Sequence, residues 1–170
     1  MLRFNSDHKF KIMQIADTQE IPAVSPDTLS LINNALDREK PDLVIFTGDQ
    51  IKGYSKKFKK DPAIIESTID ILVEPIAKRN IPFMMTYGNH DAQCGVDNRG
   101  QYKFYAKYDN FISGDLRNAD DVGTADIQIY SSTEDKPVFE LYIIDSHGKA
   151  KDGAGYAPVD KKQIEWYVSR

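Results

Sequence analysis

Six polar side chains stand directly after short, mostly apolar stretches: Asp17 and Gln19 after Phe10–Ala16, Asp49 after Asp42–Thr47, and Asn89, His90 and Asp91 after Ile81–Thr86. Brought together, they would offer carboxylates, carboxamide oxygens and an imidazole. Such a mixture of hard and borderline donors suits Mn²⁺, Fe or Zn²⁺ better than a pure thiolate or pure carboxylate set. If two ions sit ~3.5–4 Å apart, one carboxylate can bridge both, and a bound water becomes hydroxide near neutral pH. The competing reading is that Asp and Asn after strands cap turns. A single site of this kind would favour capping. Three in register on consecutive strand–helix units favour a metal centre.

The elements that position these residues are legible from periodicity. Phe10–Ala16 is apolar on both faces and short, as a buried strand is. Ser25-Pro26-Asp27 predicts a helix start, with Leu29, Ile32 and Leu36 on one face and a stop before Pro41. Asp42–Thr47 is a second buried strand, so strand, helix and strand form a parallel βαβ unit. Pro62 opens a second helix bearing Ile65, Ile69, Leu72, Val73 and Ile76, which ends at Arg79-Asn80, and Ile81–Thr86 is a third strand. Crossover helices bring the C-terminal ends of these strands to one sheet edge, where ligands bind in open α/β sheets. The lysine-rich stretch Tyr54–Lys60 reads as a solvated loop, with weak phosphate steering as the alternative.

Beyond His90 the texture changes. Residues 92–124 read as an insertion over the sheet edge, with one helix across Tyr102–Tyr108 and a share in the pocket wall. Tyrosines at that spacing also suit plain packing. Ala125–Ser131 and Val138–Ile144 predict a hairpin, and Val159–Val168 a last helix. His147 follows the second of these strands. It reads either as a replacement metal ligand or as a polar loop residue, and Asp145-Ser146 either line the same edge or make a turn. His8 falls in an expected frayed tail.

Composition narrows the classes. The chain has 170 residues, 22 Lys and Arg against 26 Asp and Glu, a net charge of −4 and 41% hydrophobic residues. That reads as one domain over 1–170 with a sizeable core. The acidic balance, with pI near 5.4, argues against a nucleic-acid-binding module. A single cysteine, Cys94, removes any disulfide framework. With no apolar leader and no run approaching a membrane span, a cytoplasmic protein without a membrane partner is expected.

The blocks Asp17-x-Gln19, Gly48-Asp49 and Gly88-Asn89-His90-Asp91 resemble the calcineurin-like metallophosphoesterases. The stretches Lys40–Gln50 and Leu141–Ser146 look closest to a purple-acid-phosphatase-like branch, and the likeness runs from about Phe10 to Tyr167. It implies an α/β fold, a sandwich of mixed β-sheets flanked by helices. It implies two divalent metal ions (Mn, Fe or Zn) and hydrolysis of a phosphate ester, mono- or diester, by a metal-bound hydroxide. Asp17 would bind the first metal with Gln19 beside it, Asp49 would bridge, and Asn89 would bind the second. His90 would stabilise phosphoryl oxygens or protonate the leaving alcohol, with Asp91 holding its imidazole.

Two features depart from the family pattern. Gln19 stands where the family usually has histidine, a neutral and poorer donor to Zn²⁺ or Fe. The family's later histidine blocks, ending in Gly-His-x-His, have no counterpart before Arg170, and only His8, His90 and His147 exist. The expectation is therefore a C-terminally truncated domain whose second sheet is incomplete. Weak metal binding and self-association through uncovered sheet surface should follow. A catalytically dead binding module is the main alternative. A flavodoxin-like or response-regulator-like protein also carries an acid after its first strand but does not require Gly-Asn-His-Asp. A Rossmann protein would need a Gly-x-Gly-x-x-Gly loop there.

Overall fold

A computed structural model describes residues 1–118, 121–150, 152–153 and 155–170. Ala119 and Asp120, within the expected insertion, lie outside the described residues. Three parallel strands form the first sheet, in the order β2 (Ile12–Ile15), β3 (Leu43–Thr47), β4 (Phe83–Thr86). Ile15 pairs with Phe46 and Thr47 with Thr86, so all three strands run out at the same edge. The second sheet is mixed: β1 (Leu2–Arg3) lies parallel to β6 (Ala125–Tyr130), while β5 (Asp115–Leu116) and β7 (Pro137–Ile143) pair with β6 antiparallel.

The crossover helices are α1 (Pro26–Glu39) and α2 (Pro62–Ala77). Both begin at a capped proline: the Ser25 side chain accepts the Asp27 N–H, and Asp61 accepts that of Ala63. α1 stops where Lys40 turns left-handed at φ 46°, just ahead of Pro41. β3 is buried on both faces. Val44 and Phe46 pack with Leu36, Ile69 and Leu72 of the helices, while Leu43 and Ile45 pack with Leu2, Ile129 and Ile143 of the second sheet. Each such side chain contributes about 1.5–3 kcal/mol on burial. This double core makes the molecule an α/β sandwich of a parallel and a mixed sheet flanked by helices, and it fixes β3 most firmly of all.

The last helix, α4 (Lys161–Val168), starts with a capping box between Asp160 and Gln163. It lays Trp166 and Tyr167 against Tyr142 of β7, on the side of the second sheet away from the first. Two local readings change and one pair of alternatives is decided. Leu2–Arg3 is not a frayed tail but a strand bonded to Ile129–Tyr130, and His8 reaches Ser132 Oγ at 2.9 Å. The helix expected from Tyr102 is α3, Asn98–Ala106, because Asp97 caps it by accepting the Gly100 N–H. Tyr102, Tyr105 and Tyr108 are packing residues: they meet Phe111, Phe46 and Phe83. Among the described residues no helix is long and apolar enough to cross a membrane.

Candidate metal centre

The three loops leaving the parallel strands are laced together before any metal is considered. Asp17 N donates to Gly48 O at 3.1 Å, Gln19 N to Asp49 O at 2.9 Å, and Glu20 N to Gln50 O at 3.1 Å. Asp17, Gln19 and Asp49 adopt left-handed backbone, with φ of 53°, 44° and 52°. For a residue with a side chain that costs roughly 1–2 kcal/mol, which the lacing must offset. Glycine is obligatory on the neighbouring loop. A Cβ at Gly88 would stand 2.1 Å from Asp49 Oδ1, so only a bare backbone lets the third loop approach the central carboxylate.

Asp91 locks this arrangement. It is 2% exposed, and its two oxygens accept four backbone N–H groups: Gly88 and Asp49 at 2.8 Å each, Gln50 at 3.0 Å and Ile51 at 3.3 Å. Burial pushes its carboxyl up to about 6, against the opposing pull of the backbone donors from Gly88, Asp49 and Ile51. This corrects the expected role. Asp91 does not hold the His90 imidazole, because its acceptor capacity is spent on the second and third loops. His90 Nδ1 instead lies 3.1 Å from Gln93 Oε1, while the His90 backbone N–H donates to Asp49 Oδ1 at 2.7 Å.

Asp17, Asp49 and Asn89 line one cavity of about 280 Å³, together with Gly48, Gly88, Tyr87, Ser146, His147 and Tyr156. Gln19 and His90 stand outside that lining. Asp49 is 7% exposed, and the cradle at Gly88 leaves no room for a side chain beside its Oδ1. Two carboxylates, an amide oxygen and a histidine around one cavity are a donor set that fits a divalent cation. Among the described residues no three His, Cys, Asp or Glu side chains cluster tightly enough to form a site by themselves.

His147 stands at the cavity without a settled role as ligand or loop residue. It lines the cavity, yet its Nε2 lies 3.6 Å from Asp160 Oδ2 and its backbone is left-handed at φ 68°. Asp145 makes the turn beneath it, accepting the His147 N–H at 2.7 Å, and Ser146 contributes to the lining. Burial raises the Asp145 carboxyl above its ordinary value, opposed by that N–H. Sequence reasoning missed Tyr87 and Tyr156 in the wall. Tyr87 directly follows β4 and its hydroxyl donates to Asn98 O at 2.6 Å, so burial holds that phenol well above its ordinary pKa. The insertion tyrosines are absent from the lining.

A family model described as calcineurin-like phosphoesterase matches residues 10–168. Over 190 aligned residues the chain is 33% identical to phosphatase DCR2 of Saccharomyces cerevisiae, covering 97% of this chain and 32% of that protein. It is 28% identical over 195 aligned residues to probable inactive purple acid phosphatase 14 of Arabidopsis thaliana, covering 98% and 47%. Among solved structures, a dimetal phosphatase from Danio rerio superposes with a TM-score of 0.56 at 14% identity, covering 94% of this chain and 50% of that one, which is a likeness of fold. The chain thus spans half or less of the length of these relatives. With its strand-end blocks inside the matched region and purple-acid-phosphatase-like proteins among its relatives, the chain belongs to the calcineurin-like phosphoesterase family.

Proposed function

We propose that this chain supplies the carboxylate and amide side of a two-metal centre that hydrolyses a phosphomonoester or phosphodiester. The observation that carries the proposal is the shared cavity of Asp17, Asp49 and Asn89 at the ends of three adjacent parallel strands. Asp17 would hold one ion, Asn89 the other, and Asp49 both, with Mn, Fe or Zn as candidates. When bound, such a pair polarises phosphoryl oxygens and generates a nucleophile from water at neutral pH. The chain's own residues do the rest. Asp91 keeps the loops bearing Asp49 and Asn89 in register, and the His90 N–H holds one oxygen of Asp49 in place. In its protonated form the His90 imidazole stabilises the phosphoryl oxygens or protonates the leaving alcohol.

Two carboxylates carry −2 against the +4 of two divalent ions, so this chain should hold metal weakly and turn over slowly. Calorimetric titration of Mn²⁺ and Zn²⁺ into the metal-stripped chain tests this, alongside hydrolysis of a chromogenic phosphate ester. Asp49→Asn should abolish binding, and His90→Gln should leave metal content nearly unchanged. Equal metal loss in both variants would place His90 among the ligands and overturn its role. Two tight sites with brisk turnover would mean that further ligands complete the shell.

A second reading is a metal-binding module without turnover. It is favoured by the two-carboxylate donor set and by relatives named probable inactive purple acid phosphatases 14 and 29. Metal binding with no detectable hydrolysis at any metal concentration would select it. In either case Val138 and Phe139 are about half exposed on β7, a strand that among the described residues pairs with β6 alone, and they are the proposed route to self-association. Phe139→Lys should reduce any concentration-dependent increase in sedimentation. An unchanged profile would remove β7 from consideration.

A further inference from the structure

His90 is held by contacts that the metal cavity does not use. Gln93 Nε2 donates to the Asn89 carbonyl oxygen at 3.1 Å. A carbonyl oxygen can only accept, so this bond decides which way the Gln93 amide faces. Its Oε1 is therefore the atom 3.1 Å from His90 Nδ1. An amide oxygen can only accept too, so Nδ1 must carry the proton, and Nε2 is the lone-pair nitrogen of the neutral ring. On another side the Tyr54 ring meets the imidazole edge-on, with centroids 4.7 Å apart and planes at 61°. Lys52 Nζ lies 5.3 Å from the centroid of that same tyrosine ring. The residue between them, Gly53, has no room for a side chain, since a Cβ would stand 2.0 Å from the His90 carbonyl oxygen.

We propose that Gln93 is a positioning residue that fixes His90 in its Nδ1–H tautomer, with Tyr54 bracketing the ring, so that Nε2 is the nitrogen presented for chemistry. Only the use made of Nε2 rests on the phosphoesterase reading; the tautomer follows from the hydrogen bonds alone. Short-range geometry explains why Gln93 can do this. It sits three residues beyond His90 in the short 3₁₀ helix Asp91–Cys94, and i, i+3 side chains in such a turn eclipse one another. Gln93 and Tyr54 are both exposed, so replacing either should leave the core intact.

The test is long-range ¹H–¹⁵N spectroscopy of the metal-free chain labelled in histidine, at a pH where the ring is neutral. His90 is identified by the signal lost in His90→Gln. The wild-type ring should show Nδ1 protonated and Nε2 bare. Gln93→Ala should shift the signal toward the Nε2–H form that an isolated histidine side chain favours, and Gln93→Glu, which keeps an acceptor there, should restore Nδ1–H. A wild-type ring protonated at Nε2, or an Ala variant with an unchanged pattern, would overturn the proposal. Failure of the phosphoesterase reading would show separately, as absence of metal binding and hydrolysis with the Nδ1–H signature intact.

Discussion

One wall of the metal cavity is built from the ends of β2, β3 and β4, the other from the loop that follows β7, and the two are held by different means. In the first wall the side chains that would meet metal sit on loops joined by backbone bonds and by a buried carboxylate with four N–H partners. Beneath it lies a strand buried on both faces. The second wall is anchored at its root, where Gln163 Nε2 reaches Asp145 O at 2.7 Å and Thr124 Oγ1 at 2.9 Å, and is tied to itself beyond it by a bridge between Lys149 and Tyr156 and by the Ala157 N–H donating to Gly148 O at 2.9 Å. Beyond that root Ser146 and Tyr156 are exposed, and His147 Nε2 lies 3.6 Å from the partly exposed Asp160 carboxylate. The wall with the carboxylates is buried and held by long-range backbone bonds, whereas the wall facing it is more exposed and held mainly by bonds within its own loop.

The largest effect should come from Asp91. Removing its carboxylate in Asp91→Ala strands four buried N–H groups, which should cost at least about 3 kcal/mol of unfolding free energy in urea. A loss below 1 kcal/mol, on the order of a surface substitution, would mean that the first wall is not held by this carboxylate. Its titration offers a sharper mark. Burial raises the Asp91 pKa from 3.8 to about 6 in the folded chain, so the folded state binds more protons than the unfolded state between those values. Stability contributed by this group is therefore fully present below about 4 and falls as pH rises toward 6. The Asp91→Asn variant should lack that slope.

Gly88→Ala comes next. Its methyl carbon would collide with Asp49 Oδ1, so the third loop must retreat from the central carboxylate. The expected cost is about 1–3 kcal/mol in stability, with metal affinity falling at least tenfold by calorimetry. Unchanged metal affinity would show that the close approach of the two loops serves packing alone.

The parallel half was the more legible half in the amino-acid pattern, for a physical reason. Its strands are buried on two faces and its helices start at Ser25-Pro26 and Asp61-Pro62, so hydrophobicity and capping chemistry point to the same boundaries. In the other half β1 and β5 have two residues each, too short for any periodicity, and they exist because β6 offers them bonds. The roles around His90 were misread for a related reason. The family resemblance implied Asp91 as the imidazole's partner. The 3₁₀ turn brings Gln93 there instead, and Asp91 is drawn into the loops by amides some 40 residues away in the chain. Tertiary hydrogen bonding of that kind leaves no trace in local spacing. The convergence of Asp17, Asp49 and Asn89 was legible because parallel pairing enforces it, whereas nothing local distinguishes Gln19, two residues beyond Asp17, as lying outside the cavity lining.

The smallest effect on stability should come from the facing wall. His147 and Asp160 are both partly exposed and 3.6 Å apart, and pairs of that kind contribute about 0–1 kcal/mol. His147→Ala should therefore change unfolding free energy by less than about 0.5 kcal/mol. It also removes an imidazole from the cavity that holds Asp17, Asp49 and Asn89. If that imidazole contributes to the donor set, Zn²⁺ affinity should fall more than Mn²⁺ affinity, because nitrogen donors favour the more borderline ion. Asp160→Asn separates the two functions of the residue, since it weakens the ion pair while leaving the imidazole in place. Equal losses for both metals in His147→Ala would assign the residue to shaping the wall. A stability loss above about 1.5 kcal/mol, a size tied to buried structure, would show that this wall is as firmly built as the one across from it.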